Sequence, residues 1–313
     1  MGVDSTGQVL PQLPLEAWEQ TKTTLHLYLQ IVGKIRLALS PRKNHWWNVT
    51  LYVSTKGLNT GPIPMADGWN TFEIAFDFLS HRLEVTDSTG RSGGFALRQG
   101  LSVAAFHEQL FEILKEMGVK ASIVGRPYDL PGITEPFHTL TTHASYQSQY
   151  VERFWVILRW VDGVFKEFSG WFYGKTCPVH LYWHHMDLAV TRFSGHKGPS
   201  QGADWRLSDK DAYSHEVISF GFWAGDEKVR QPAFYAYAYP SPQGLEREHL
   251  EPEAARWVDN NGSPMAILYY EDLRRCDRPR AALLDFLESA YSAAAVLAGW
   301  DVEALKVPPL EEL

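Results

Sequence analysis

Residues recur along this chain at a fixed interval, and a repeat restricts the possible folds more than any single motif does. A shift of 137 positions carries Trp18 onto Trp155, Gly33 onto Gly170, Pro41 onto Pro178 and Trp46 onto Trp183. The same shift pairs Leu51 with Leu188, Val53 with Val190, Gly61 with Gly198 and Pro62 with Pro199. These eight identities between Trp18 and Pro62 exceed the roughly three that ordinary composition supplies, and six of them are Trp, Gly or Pro. After a longer loop the shift becomes 144, joining Ile74 to Ile218, Phe76 to Phe220 and Phe78 to Phe222. The chain therefore reads as two copies of one scaffold.

Periodicity supports that reading. From Leu15 to Leu39 the apolar positions Trp18, Leu25, Leu29, Val32 and Leu39 fall at helical spacing, and Ser40-Pro41 ends the helix. Its counterpart carries Tyr146, Tyr150, Phe154, Ile157, Val161 and Phe168 on one face and ends near Gly170. Strand-like runs follow at Trp46 to Thr55, Thr71 to Phe78, Leu83 to Thr86 and Gly94 to Leu97. The second half offers Val179 to Thr191, Tyr213 to Ala224, Ala233 to Tyr239 and Met265 to Tyr270, with a hairpin turn at Asp259 to Gly262. Each half closes with a helix: Val103 to Met117 behind the N-cap Ser102, and Pro279 to Ala298. Lys120 to Val124 reads as a short strand leading into the second half.

The expected fold class is α+β and internally duplicated, each half being a helix, a four-stranded antiparallel sheet and a helix. By analogy this is similar to the saddle of TATA-binding-protein-like folds. The expected domains are a first repeat at residues 1–124, a linker at 125–142 and a second repeat at 143–313.

Composition narrows the function classes. With 313 residues, 45% apolar and 21% charged, the chain is an ordinary globular protein with ample material for a core. Lys plus Arg number 29 against 37 Asp plus Glu, and this net charge of −8 argues against nucleic-acid binding. Cys177 and Cys276 are too few and too far apart for a disulfide framework, which points to a reducing compartment. Met1 to Leu15 lacks the basic start and apolar stretch of a signal peptide, and no run reaches the roughly 20 apolar residues of a membrane helix. A cytoplasmic protein with no membrane association is expected.

Where two copies share a scaffold, chemical differences between them locate function. Trp47, Asn48 and Thr50 in the first half stand where the second has His184, His185 and Asp187. Strand alternation places His185 and Asp187 on one face with Trp183 and Ala189, leaving His184 toward the core. His215 on the next strand would meet them, bringing two imidazoles and a carboxylate together as a proton-transfer pair or a weak metal candidate. Arg192 opens the basic, glycine-containing loop that runs to Ser200, suited to a carboxylate or phosphate. Tyr235, Tyr237 and Tyr239 alternate with small residues along one strand and present rings bearing hydroxyls.

There is no HExxH and no phosphate-binding GxxxxGK[ST] sequence. The expectation is a pocket for a small polar or anionic ligand formed by His185, Asp187, Arg192, His215, Tyr235 and Tyr237. The alternatives are a protein–protein interaction module without catalysis and a metal-dependent hydrolase. The residues name no cofactor and fix no oligomeric state.

Four segments also carry a family resemblance: His45 to Val49, Phe72 to Asp77, Asp187 to Gly195 and Tyr213 to Trp223. Through them nearly the whole chain resembles the uncharacterised bacterial family designated domain of unknown function 5996. The resemblance implies a bacterial, soluble protein and brings no activity or catalytic residue with it.

Overall fold

The computed structural model describes residues 9–312 and contains, among them, six α-helices and two antiparallel sheets. The mixed α+β class expected from periodicity is therefore present. In chain order the elements begin with α1 (Leu15–Leu39), β1 (Tyr52–Val53), β2 (Gly57–Asn59), β3 (Ile63–Pro64), β4 (Thr71–Asp77), β5 (Arg82–Asp87), β6 (Ser92–Ala96) and α2 (Val103–Glu116). They continue with α3 (Ser148–Gly170), β7 (His180–Tyr182), β8 (Asp187–Lys197), α4 (Leu207–Ala212), β9 (His215–Trp223) and β10 (Ala233–Tyr239). The chain closes with β11 (Arg256–Asn260), β12 (Ser263–Tyr269), α5 (Tyr270–Arg275) and α6 (Pro279–Leu297).

Two compact units share these elements, and they are interleaved in sequence. The first comprises Leu13–Arg159 and His180–Asp187; the second comprises the described residues up to Gln12, Trp160–Val179 and the described residues from Leu188.

The sheet of the first unit runs β1-β2-β4-β5-β6. The short β2 and β3 pair with opposite ends of β4, which adds strands to the four expected. Along β4 the alternation buries Phe72, Ile74 and Phe76, and along β5 it buries Leu83 and Val85. Phe106 of α2 closes this core, stacked 4.1 Å from Tyr28 of α1 and 6.2 Å from Phe76, with Phe95 of β6 edge-on at 5.4 Å. The Ser102 hydroxyl accepts the Ala105 N–H at 3.1 Å, the cap that starts α2.

α1 is buried on every side from Thr24 to Arg36, and its polar residues must therefore find partners inside the protein. Gln30 exchanges two hydrogen bonds with the Tyr128 backbone, donating to its carbonyl at 2.9 Å and accepting from its N–H at 2.7 Å. Arg36 donates to the carbonyls of Asn48, Thr50 and Thr60 and to the Tyr52 hydroxyl. These bonds attach irregular segments to a regular helix.

The sheet of the second unit runs β11-β12-β10-β9-β8. β12 rather than β11 lies beside β10, so this strand order is not the simple meander of the first sheet. The β11–β12 hairpin turns at Asn261 and Gly262, both left-handed with φ 53° and 85°, as the Asp259 to Gly262 signal predicts.

Three expected strands are corrected. Trp183 to Met186 form a turn between β7 and β8, because Met186 adopts left-handed φ 57° and breaks the alternation. Trp46 to Thr55 holds only β1; His45 and Trp46 have φ 56° and 60°, which bends the chain before it. Lys120 to Val124 joins no sheet and is irregular.

Candidate functional site

The second sheet has two chemically different faces. On one, the cross-strand pairs Phe222–Phe234, Phe220–Ala236 and Ile218–Ala238 are buried. Phe220 lies 4.9 Å from Phe168 of α3, and Phe222 lies 6.0 Å from Tyr270 of α5. The other face carries the intervening pairs Trp223–Ala233, Gly221–Tyr235, Ser219–Tyr237 and Val217–Tyr239. On this second face six aromatic rings form a continuous chain. Centroid distances are 5.5 Å for Trp223–Tyr235, 5.9 Å for Tyr235–Tyr237 and 6.4 Å for Tyr237–Tyr213. They are 4.8 Å for Tyr213–Tyr239 and 5.8 Å for Tyr239–Trp205.

Small residues shape that surface. A Cβ on Gly221 would stand 2.3 Å from the Tyr235 hydroxyl, so the bare glycine lets this ring lie against the sheet. Tyr235 and Tyr237 are nearly parallel, at 19°, and the hydroxyls of Tyr237 and Tyr213 are 3.1 Å apart. Five of the six rings are half-buried and Trp205 is 39% exposed, so the row reaches solvent instead of belonging to the core.

One end of the row is cationic. His215, two residues before Val217 on the same face of β9, has its Nδ1 3.1 Å from the Ser214 hydroxyl. Burial, then the positive charges of Lys175 and Lys197, hold His215 below the ordinary imidazole range. The Lys175 ammonium sits 4.6 Å from the Phe193 ring centre. Burial lowers its own pKa while Asp211 pulls it back up.

Of the residues expected to form a pocket, Tyr235, Tyr237 and His215 lie on this face. Arg192 points to the opposite one. It is 1% exposed, its guanidinium 3.6 Å from the Phe168 ring centre and 4.4 Å from that of Tyr291. Nη2 donates to the Phe168 carbonyl at 2.6 Å, and Nη1 is 3.6 Å from the Glu288 carboxylate. Burial depresses its pKa to about 10. These contacts tie α3 and α6 to β8.

His185 lies on the Trp183 to Met186 turn, exposed, with Nε2 3.3 Å from an Asp129 carboxylate oxygen. Asp187 is buried as the first residue of β8. His185 and Asp187 group with the first unit and His215 with the second. Among the described residues no three His, Cys, Asp or Glu side chains are grouped to hold a metal ion. In the basic loop, the Ser194 hydroxyl donates to Glu216 at 2.8 Å and His196 is 3.6 Å from that carboxylate. β8 itself extends through Lys197.

Sequence reasoning passed over Trp205, Tyr213 and Trp223 as site residues. Tyr213 shares the odd-numbered parity of His215 and Val217, which is a visible signal; its stacking on Tyr239 depends on how the chain returns and is not. It also passed over His26, Gln30 and Lys34, which stand four residues apart on one face of α1. His26 Nε2 donates to the carbonyls of Trp183 at 3.0 Å and His184 at 3.1 Å, fixing the turn that bears His185. A concavity of about 480 Å³ also runs along Arg247 to Trp257, lined mostly by exposed charged side chains such as Glu248 and His249.

The buried histidines of the first unit make stability pH-dependent. His26, His180 and His184 are each pushed down to about 3, in every case chiefly by burial; Lys22 adds to the effect at His26, Arg36 at His180 and His185 at His184. Unfolded, they titrate near 6.5, so between about pH 6.5 and 3 the unfolded chain takes up protons that the folded chain refuses. Unfolding free energy is expected to be level above about pH 7 and to fall as the pH drops through that window. Urea midpoints from pH 8 to pH 4 check this, and a His26→Gln variant that folds should show a shallower slope.

Among the described residues no helix is long and apolar enough to cross a membrane. Neither the curated proteins nor the solved structures contain a match to the chain. A family model does match, from residue 10 to residue 307, a span that takes in all the residues of both sheets. The chain therefore belongs to that family, the family of unknown function DUF5996.

Proposed function

We propose that this protein binds a small polar, ring-bearing ligand on the aromatic face of the second sheet. The observation that carries the reading is the row of six solvent-reaching rings from Trp223 to Trp205, laid over small residues on the sheet face opposite the core. Aromatic rings give broad apolar contact at little entropic cost, and their hydroxyls orient polar substituents. Tyr235, Tyr237 and His215 are the ligand residues in this reading, and Arg192 supports the sheet from behind. Cys177 and Cys276 are both free thiols, which supports a reducing, cytoplasmic setting. The helix, antiparallel strands and helix that begin at α1 and again at α3 support descent from a duplication, alongside the Trp46 and Trp183 correspondence.

A thermal-shift screen of polar ring compounds against the full chain tests the ligand reading. Hits are expected to lose about tenfold in affinity on Tyr237→Ala, the worth of roughly one ring contact with its hydrogen bond. They should also weaken on Gly221→Ala, which displaces Tyr235. Hits that bind all three proteins equally would place the site elsewhere and end the reading.

A further inference from the structure

We infer that the ligand of the aromatic face is an aryl carboxylate, its ring on the tyrosines and its acid group between Lys175, Lys197 and the His215 imidazole. The inference rests on the ligand reading above and adds the chemical class. The rings end where the cations begin: Tyr239 pairs with Val217, and His215 is the next residue on that face. Lys197 closes β8, and Lys175 covers Phe193. The acid group therefore meets cations one strand position beyond the last ring.

The lysine charges call for an anion at this end of the row. Asp211 acts on Lys175, and burial together with the charges of Lys175 and Lys197 holds His215 toward its neutral form. Glu216 belongs to the opposite face of β9, where Ser194 and His196 hold it. A carboxylate answers the lysine charges. The neutral imidazole and the tyrosine hydroxyls supply hydrogen bonds suited to a carboxylate's lone pairs.

Three probes on the intact chain separate the parts of the claim: phenylacetate, its uncharged amide phenylacetamide, and acetate, titrated by calorimetry. Phenylacetate is expected to bind about tenfold more tightly than phenylacetamide, and acetate more weakly than either. Lys197→Met, checked for an unchanged melting temperature, should remove that preference and leave phenylacetamide as it was, whereas Tyr237→Ala should weaken both aryl probes. Equal binding of amide and acid overturns the carboxylate assignment and leaves the ring reading standing. No binding of either aryl probe up to about 10 mM overturns the assignment. Loss of the ring reading itself is recognised separately, by screening hits indifferent to Tyr237→Ala.

Discussion

Arg36→Met is expected to lower the free energy of unfolding by about 3–5 kcal/mol, the cost of breaking a buried charged network from one side. The guanidinium is buried in α1 with no carboxylate against it among the described residues; its charge is spread over the carbonyls of Asn48, Thr50 and Thr60 and the Tyr52 hydroxyl. Methionine fills much of the volume but donates nothing, so three carbonyls lose their partner at about 1–3 kcal/mol for each that stays dry. The Tyr52 ring also loses the guanidinium 4.9 Å from its centre. Arg36→Lys should recover only part of the loss, because one ammonium cannot reproduce a planar fork of donors. The shift in urea midpoint at constant slope measures both variants. A loss below about 1 kcal/mol for Arg36→Met would show that water or backbone movement replaces the donor.

The second large effect comes from adding a single methyl group. In an open helix Gly→Ala gains about 1 kcal/mol through reduced backbone entropy. At Gly33 the sign is expected to reverse. A Cβ there would stand 2.1 Å from Cδ1, 2.2 Å from Cγ and 2.4 Å from Nε1 of the Trp183 indole. Those atoms belong to a rigid ring that is 4% exposed, and the Trp183 carbonyl is itself held by His26. Burial leaves the ring little room to turn aside, and moving the backbone instead would break that bond. A net loss of about 2 kcal/mol or more follows from overpacking costs of roughly 1–3 kcal/mol with a broken hydrogen bond added. Combining Gly33→Ala with Trp183→Leu should cost less than the sum of the two single changes, because the smaller side chain makes room for the methyl. Strict additivity would show that the two positions do not compete for space.

Features governed by neighbours in sequence were readable, and features governed by distant partners were not. The limits of α1, the Ser102 cap, the Asn261-Gly262 turn and the alternation of Tyr235, Tyr237 and Tyr239 each depend on a few adjacent residues. The Trp183 to Met186 turn depends instead on Gly33 and His26, some 150 residues away, and so it read as strand. Gly33 and Gly170, matched by the 137-residue shift, share a letter for different reasons: one faces an indole, while a Cβ on the other would meet nothing within 4 Å. Arg192 is recognisable as a charge in a basic stretch, but its side of the sheet follows from where β8 begins its alternation. The aromatic row was half visible, because parity reveals the three tyrosines of β10 and only the folded connections bring Tyr213 and Trp205 beside them.

The interleaving of the two units governs how this gene can be divided. Eight residues, His180–Asp187, belong with a body whose remaining chain ends at Arg159. A coding region trimmed after Arg159 specifies α1 without the carbonyls that receive His26 and without the indole that covers Gly33. The remaining portion would carry those eight residues with no helix to seat them. Recombination within this stretch therefore transmits neither portion whole.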